Sequence, residues 1–243
     1  MQWVGALGGA TFILVSFVLG LRLLRLASRT REIPELAMGL GFVAMGGLGY
    51  PLGAVARLAE GLPTGARVAM GILAQVLMVT GVLAVAVFNW RVFRPGTRWA
   101  PSIAVALAAG FGSLFAWQCA SDGFAAYALR NQGIYRMSLP LIGVPLWWAA
   151  IESFRFSRQL GRRAALGLAD SLVSDRVRLW GCGSVAAALV NEFSSVAQFA
   201  GIDPATSPEA GAVAGSIGML AAVCLWLAFF PPESYKRRVA ARI

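Results

Sequence analysis

Seven long apolar stretches limit what this chain can fold into more than any other property. They cover residues 3–24, 34–58, 67–92, 100–120, 135–156, 176–200 and 210–230. A helix needs about 20 apolar residues to cross the hydrocarbon of a bilayer. In lipid the backbone must satisfy its own hydrogen bonds, and runs of this length do so as helices. The expected fold is therefore an all-α membrane protein, a seven-transmembrane-helix bundle forming one domain over residues 1–243. The longest connection, 156–175, leaves no room for a soluble domain. Composition agrees, because 13% of the residues are charged and 58% are hydrophobic. Soluble domains carry about 25% charged residues. The first stretch, "WVGALGGATFILVSFVLGL", exceeds a signal h-region of about 7–15 residues, and its positive charges follow it. It is expected to remain in the mature protein.

The net charge of +10 is distributed unevenly. Arg22, Arg25, Arg29 and Arg31 follow the first stretch, and Arg91, Arg94 and Arg98 the third. Arg155, Arg158, Arg162, Arg163, Arg176 and Arg178 surround the loop after the fifth. Lys236, Arg237, Arg238 and Arg242 lie in the tail. The opposite side has only Arg57, Arg67, Arg130 and Arg136. The positive-inside rule makes the arginine-rich side cytoplasmic, with the N-terminus outside and the C-terminus inside. This places the chain in the plasma (inner) membrane as a multi-pass protein with the lipid bilayer as its first partner. Charge clustered this way orients a membrane protein, and no nucleic-acid partner is expected. Trp3 and Trp117 fall near the outer boundary, and Trp90, Trp99, Trp180 and Trp226 near the inner one, as an aromatic belt requires. Trp147 and Trp148 lie deeper and read as packing bulk.

Histidine is absent. That excludes His-ligated zinc or haem and a Ser-His-Asp triad. The single lysine, Lys236, is in the tail, so no membrane lysine can form a retinal-type Schiff base. No cofactor is expected. Cys119, Cys182 and Cys224 lie in apolar stretches without CxxC spacing and read as small buried hydrophobes.

Small residues mark the packing faces. In the second stretch Gly39, Gly46 and Gly53 recur every seven residues, Gly49 and Gly53 form a GxxxG step, and Ala37 and Gly41 a small-xxx-small step. Such faces let helix backbones approach closely in lipid. Tight packing within the chain is the plainer reading, and a homodimer or a membrane partner the sharper one. The seventh stretch opens similarly with "GAVAGSIG", which makes the second and seventh candidates for close-packed central helices. Pro51, Pro140 and Pro145 fall inside predicted helices and should kink them.

Polar residues converge at one depth. Glu192 lies nine residues before Gly201, which is about 13 Å below the outer surface at 1.5 Å per residue. Ser184, Ala188, Glu192, Ser195 and Phe199 share a helical face, flanked by Asn191 and Gln198. Counting from the outer ends places Gln75, Tyr50, Pro51, Pro145 and Ser216 at about 9–13 Å, with Gln118 higher, near Asp122. The inner halves are plainer, with Ser16, Thr80 and Asn89 as exceptions. The expected site is a polar pocket open to the outside, lined by Tyr50, Gln75, Gln118, Asn191, Glu192 and Ser195. Single polar residues in membrane helices usually serve as interhelical glue. A carboxylate at depth costs about 2.5–3.5 kcal/mol even on insertion scales, which makes Glu192 the functional candidate. It is expected either to be ionised and paired with Arg57 or Arg136, or to carry a proton.

On the arginine-rich side, Leu160, Ala164, Leu168 and Leu172 are spaced by four beside Arg158, Arg162 and Arg163. This spacing suggests an interfacial helix resting on anionic lipid. Ser174–Asp175 reads as the cap of the sixth helix, with Asp170 and Asp175 free to pair with Arg176 and Arg178. Arg31, Glu32 and Glu35 lead into the second helix, with Pro34 in its first turn.

Seven helices in this orientation form a topology shared by opsin-like receptors and some small transporters, and no motif carries the likeness further. The leading functional expectation is a receptor- or sensor-like bundle binding a small-molecule ligand in the outer polar layer. The alternatives are a small-solute or proton-coupled transporter using Glu192, and a structural subunit of a membrane complex. Without histidine, a membrane lysine or paired deep carboxylates the chain has a poor catalytic set.

Overall fold

The computed structural model describes residues 2–121, 123–128 and 133–240, and every element among them is helical. Helix α1 runs over Gln2–Thr30. The second membrane segment is continuous but changes pitch: α2 (Ile33–Leu40), a π-helical stretch (Gly41–Gly49) and α3 (Tyr50–Leu58). Then follow α4 (Thr64–Phe93), α5 (Ala100–Ala120), the short α6 (Gly123–Ala128), α7 (Gly133–Ala164), α8 (Ser171–Phe199), α9 (Pro208–Phe229) and α10 (Glu233–Ala240). Asp122, Arg130 and Arg242, counted in the sequence reading, lie outside the described residues.

Among the described residues six helices are long and apolar enough to cross a membrane: Trp3–Thr30, Ile33–Leu58, Thr64–Phe93, Ala100–Ala120, Tyr135–Ala164 and Pro208–Phe229. That is compatible with a multi-pass membrane protein. The expected seventh, α8, has the length, at 29 residues, but not the apolarity. Asn191, Glu192, Ser194, Ser195 and Gln198 lower it, and these are the residues that drew attention in the sequence.

Local signals set the helix ends. Arg31 takes a left-handed backbone (φ 58°), an uncommon conformation for a residue other than glycine, and so turns α1 into α2. Pro34 occupies the first turn of α2, where its missing N–H is not needed. The start of α8 corrects the sequence reading. Its cap is Asp170, which accepts the Leu172 N–H at 2.8 Å, rather than Ser174–Asp175. No separate interfacial helix spans Leu160 to Leu172 either. The same four-residue spacing is used by α7, which continues unbroken to Ala164 before a short turn.

The π stretch has a physical cause in its composition. Four of its nine residues are glycine, and Pro51 follows directly. Proline cannot donate to the preceding turn, and glycine tolerates the wider winding. Pro51 therefore ends a π segment instead of making a simple kink.

The helices pack in a closed circuit of neighbours. Helix α1 touches α9 and the second segment, the second segment touches α4, α4 touches α7, α7 touches α8, and α8 touches α9. Helix α5 stands outside against α4 and α7. Its apolar window is 17% buried, against 61% for α7, so α7 is central and α5 peripheral.

Glycines make the close contacts. A Cβ on Gly8 would lie 2.1 Å from the Gly215 carbonyl oxygen, and one on Gly215 would lie 2.6 Å from Gly5 Cα. Helices α1 and α9 thus meet backbone to backbone. Both segments expected to be close-packed use glycines in tight contacts, and the glycine face of α9 is used against α1. Gly39 and Gly46 also face α1, against Leu24 and Ser16, while Gly49 faces Met78 on α4. Gly53 is buried, and its carbonyl accepts a 3.3 Å bond from Arg57. The glycine-rich faces accordingly serve packing within the chain. Trp148 is buried 5.7 Å from Trp99, while Trp147 is partly exposed.

Overpacking typically costs about 1–3 kcal/mol. Gly215→Val should therefore lower the thermal unfolding temperature in detergent by several degrees. Gly9→Val, whose Cβ meets nothing within 4 Å, should leave it unchanged.

Candidate functional site

Helices α7 and α8 run antiparallel along a seam built from reciprocal contacts. At its α10 end Ser157 Oγ donates to the Ser174 carbonyl and Ser174 Oγ to the Ser157 carbonyl, each at 2.9 Å. Further along, Gly181 accommodates Ser153 and Phe154, and Ala188 is fully buried. The seam then reaches Gly143. A Cβ there would lie 2.2 Å from Glu192 Oε1 and 3.4 Å from Asn191 Nδ2. The Glu192 carboxylate occupies the space that any side chain at position 143 would fill.

Gly143 lies between Pro140 and Pro145, both inside α7. Neither proline donates a backbone hydrogen bond, so this part of α7 is short of internal bonds. Two asparagines from different neighbours grip it. Asn191 Nδ2 donates to the Leu139 carbonyl at 2.9 Å, and Asn89 Nδ2 on α4 donates to the Pro145 carbonyl at 2.8 Å. Asn89 is fully buried. Its bond puts Pro145 level with Asn89, which is near the arginine-rich end of α4, so the outer depth counted for Pro145 does not hold; the role of Asn89 follows only from its facing a proline-bearing helix.

Glu192 is partly buried, and among the described residues no hydrogen bond or ion pair reaches its carboxylate. The expected pairing with Arg57 or Arg136 does not form. Arg57 instead meets Asp203 in the α8–α9 loop at 3.6 Å. Arg67 is buried and caps α3, donating to the carbonyls of Ala56 (2.9 Å) and Arg57 (3.0 Å). These arginines are drawn to groups at the helix ends, one a carboxylate and the others carbonyls left open where α3 stops.

The other predicted lining residues are dispersed. Ser195 is buried and donates to the Asn191 carbonyl of its own helix at 2.7 Å. Ser216 does the same to Ala212 at 2.8 Å and is exposed. Gln75 on α4 and Gln118 on α5 are buried. Gln75 Nε2 and both polar atoms of the Gln118 amide lack a partner within the described protein. Tyr50 is 50% exposed on α3. No hydrogen bond among the described residues joins Tyr50, Gln75 or Gln118 to Asn191, Glu192 or Ser195. The structure thus brings together Asn191, Glu192 and Gly143, with Ser195 one turn away.

A second carboxylate went unnoticed in the sequence. Glu152 on α7 is buried, accepts Arg94 Nε at 2.9 Å and has Arg155 Nη1 at 3.6 Å. It falls inside the expected span 135–156, so the rule that singled out Glu192 would also have found it. Beside it opens a cleft of about 310 Å³ lined by Arg94, Glu152, Arg155, Arg158 and Arg162 over Phe93 and Phe156. Another cleft of about 410 Å³ lies over the Ser157–Ser174 contact. At its edge Asp175 takes Arg178 Nη2 at 2.5 Å and the Tyr235 hydroxyl, which docks α10 onto α8. Both clefts lie at the arginine-rich end of the bundle. Among the described residues no group of three or more Cys, Asp or Glu is placed to hold a metal ion.

Comparisons with protein-family models, with curated proteins and with solved structures gave no match.

Interhelical side-chain bonds in membranes average about 0.6 kcal/mol and reach about 1.7. Asn89→Ala and Asn191→Ala should each cost about 0.5–2 kcal/mol in denaturant unfolding. The double variant should lose the sum, because the two bonds share no atom.

Proposed function

We propose that the chain is a seven-span membrane protein of the plasma (inner) membrane in which α8 is the seventh span. On this reading α8 is less apolar than its neighbours because it carries the site. The charge asymmetry supports an outside N-terminus and a cytoplasmic C-terminus. The bundle works as a receptor- or sensor-like protein that binds a small ligand from the outer side at Glu192. One observation carries the reading: an unpartnered carboxylate is seated on a glycine between two prolines of the central helix. A carboxylate in an apolar seam gains from meeting a cation or a proton. The ligand class is therefore a small molecule bearing a positive charge or strong hydrogen-bond donors. Gln75 and Gln118, buried with amide atoms that lack partners among the described residues, are secondary polar positions. Tyr50 belongs to the lining only in a rearranged state.

A second reading is proton-coupled or small-solute transport. It is favoured by two irregular helices, the π stretch before Pro51 and the proline-bearing α7, since transporters build sites at broken helices. A structural-subunit reading draws on Ser195 and Ser216, whose hydroxyls are spent on their own backbones.

Thermal-shift titration of the purified protein with small amines and guanidines tests the first reading. Saturable stabilisation should occur in the wild type and be lost in Glu192→Gln. Gly143→Ala should weaken it as well, because the added methyl displaces the carboxylate. Vesicles carrying a pH-sensitive dye separate the second reading: a proton flux that depends on Glu192 would replace binding with transport. Neither stabilisation nor flux would leave the structural role.

A further inference from the structure

The arginine-lined cleft beside Glu152 has a charge balance that its own residues do not close. Arg94 comes from the end of α4, and Arg155, Arg158 and Arg162 from one side of α7, at three- and four-residue spacing. Glu152 contributes the one carboxylate of the lining. It is shared between Arg94 and Arg155, and Arg158 and Arg162 have no acidic partner among the described residues. Four guanidinium groups and one carboxylate leave three uncompensated positive charges around a space of about 310 Å³. The floor is apolar: Phe93 and Phe156 meet edge to face at 6.1 Å. Arg155, Arg158 and Arg162 are exposed at the mouth of the cleft, so their donors are open to an anion from outside.

We propose that this cleft binds a phosphate group. The arginine forks offer paired donors that match phosphate oxygens, and they are weakly hydrated enough to use them against an aromatic wall. The buried Glu152 holds Arg94 in place and leaves the outer arginines free for the ligand. Arg155, Arg158 and Arg162 lie at the end of an apolar helix, where phospholipid headgroups would sit, and Phe156 is partly exposed beside them. The phosphate can therefore belong to an anionic lipid headgroup or to a soluble phosphate compound. The proposal does not depend on Glu192 or on the function assigned to it.

The test uses the full-length protein in a neutral detergent, titrated with short-chain phosphatidic acid, short-chain phosphatidylcholine and inorganic phosphate. Binding is read by calorimetry. Phosphatidic acid or inorganic phosphate should bind saturably. The variant Arg158→Gln/Arg162→Gln, at two positions without partners in the fold, should weaken that binding on the order of tenfold or more. The control Arg237→Gln/Arg238→Gln removes equal charge from α10 at the same end and should change it less than twofold. Preference for phosphatidic acid that inorganic phosphate does not displace assigns the site to a lipid headgroup. Displacement by inorganic phosphate assigns it to a soluble compound. Equal weakening by both double variants, or no saturable binding of either anion, overturns the proposal.

Discussion

Contact between helix backbones at glycine holds this bundle together. Between lipid-solvated helices the hydrophobic effect supplies no attraction, because acyl chains are as apolar as leucine. What remains is close van der Waals contact, and it requires that nothing project from the facing surfaces. The Gly5–Gly8 and Gly211–Gly215 faces of α1 and α9 meet this condition, as do Gly39 and Gly46 against α1 and Gly81 against Met45. These contacts leave a few places where polar side chains must stand in, and these fall where the helices are irregular.

The α7–α8 seam shows the same logic applied to a charged group. Gly143 does not bring two backbones together; it makes room for a carboxylate. The flanking prolines weaken α7 locally, and Asn89 and Asn191 restore its hold on α4 and α8. Support and candidate site are thus made by adjacent residues of α8: Asn191 fixes the seam, and Glu192 is left without a partner among the described residues. At the opposite end Glu152 has two arginines, and the surplus is positive instead.

Much of this was legible in the sequence. The all-helical class and six of the seven apolar spans follow from run length alone, and the fourth segment coincides with α5 at both ends. Glu192 was visible because charge inside an apolar run is conspicuous. Its surroundings were not, because a glycine in "LIGVP" has no pattern that distinguishes a space for a side chain from ordinary packing. Tyr50 shows a different limit. Its placement was a depth counted back from Arg57, and depth does not say which face of the helix a side chain takes; Tyr50 is half exposed. Spacing by seven identified a glycine face without saying which helix it meets. The shared use of α1 by the second segment and by α9 depends on tertiary arrangement.

The seam between α1 and α9 joins the first and last long helices of the chain. Arg22 adds to it near the other end, donating to the Phe229 carbonyl across 207 positions and lying 4.3 Å from the Phe230 ring. During synthesis this surface cannot form until the chain through α9 has left the ribosome. Until α9 enters the bilayer, Gly5 and Gly8 face lipid or whatever helix is nearest. Closure of the circuit is therefore a late event in biogenesis, and a chain stopped before Pro208 would present an open glycine face to its surroundings.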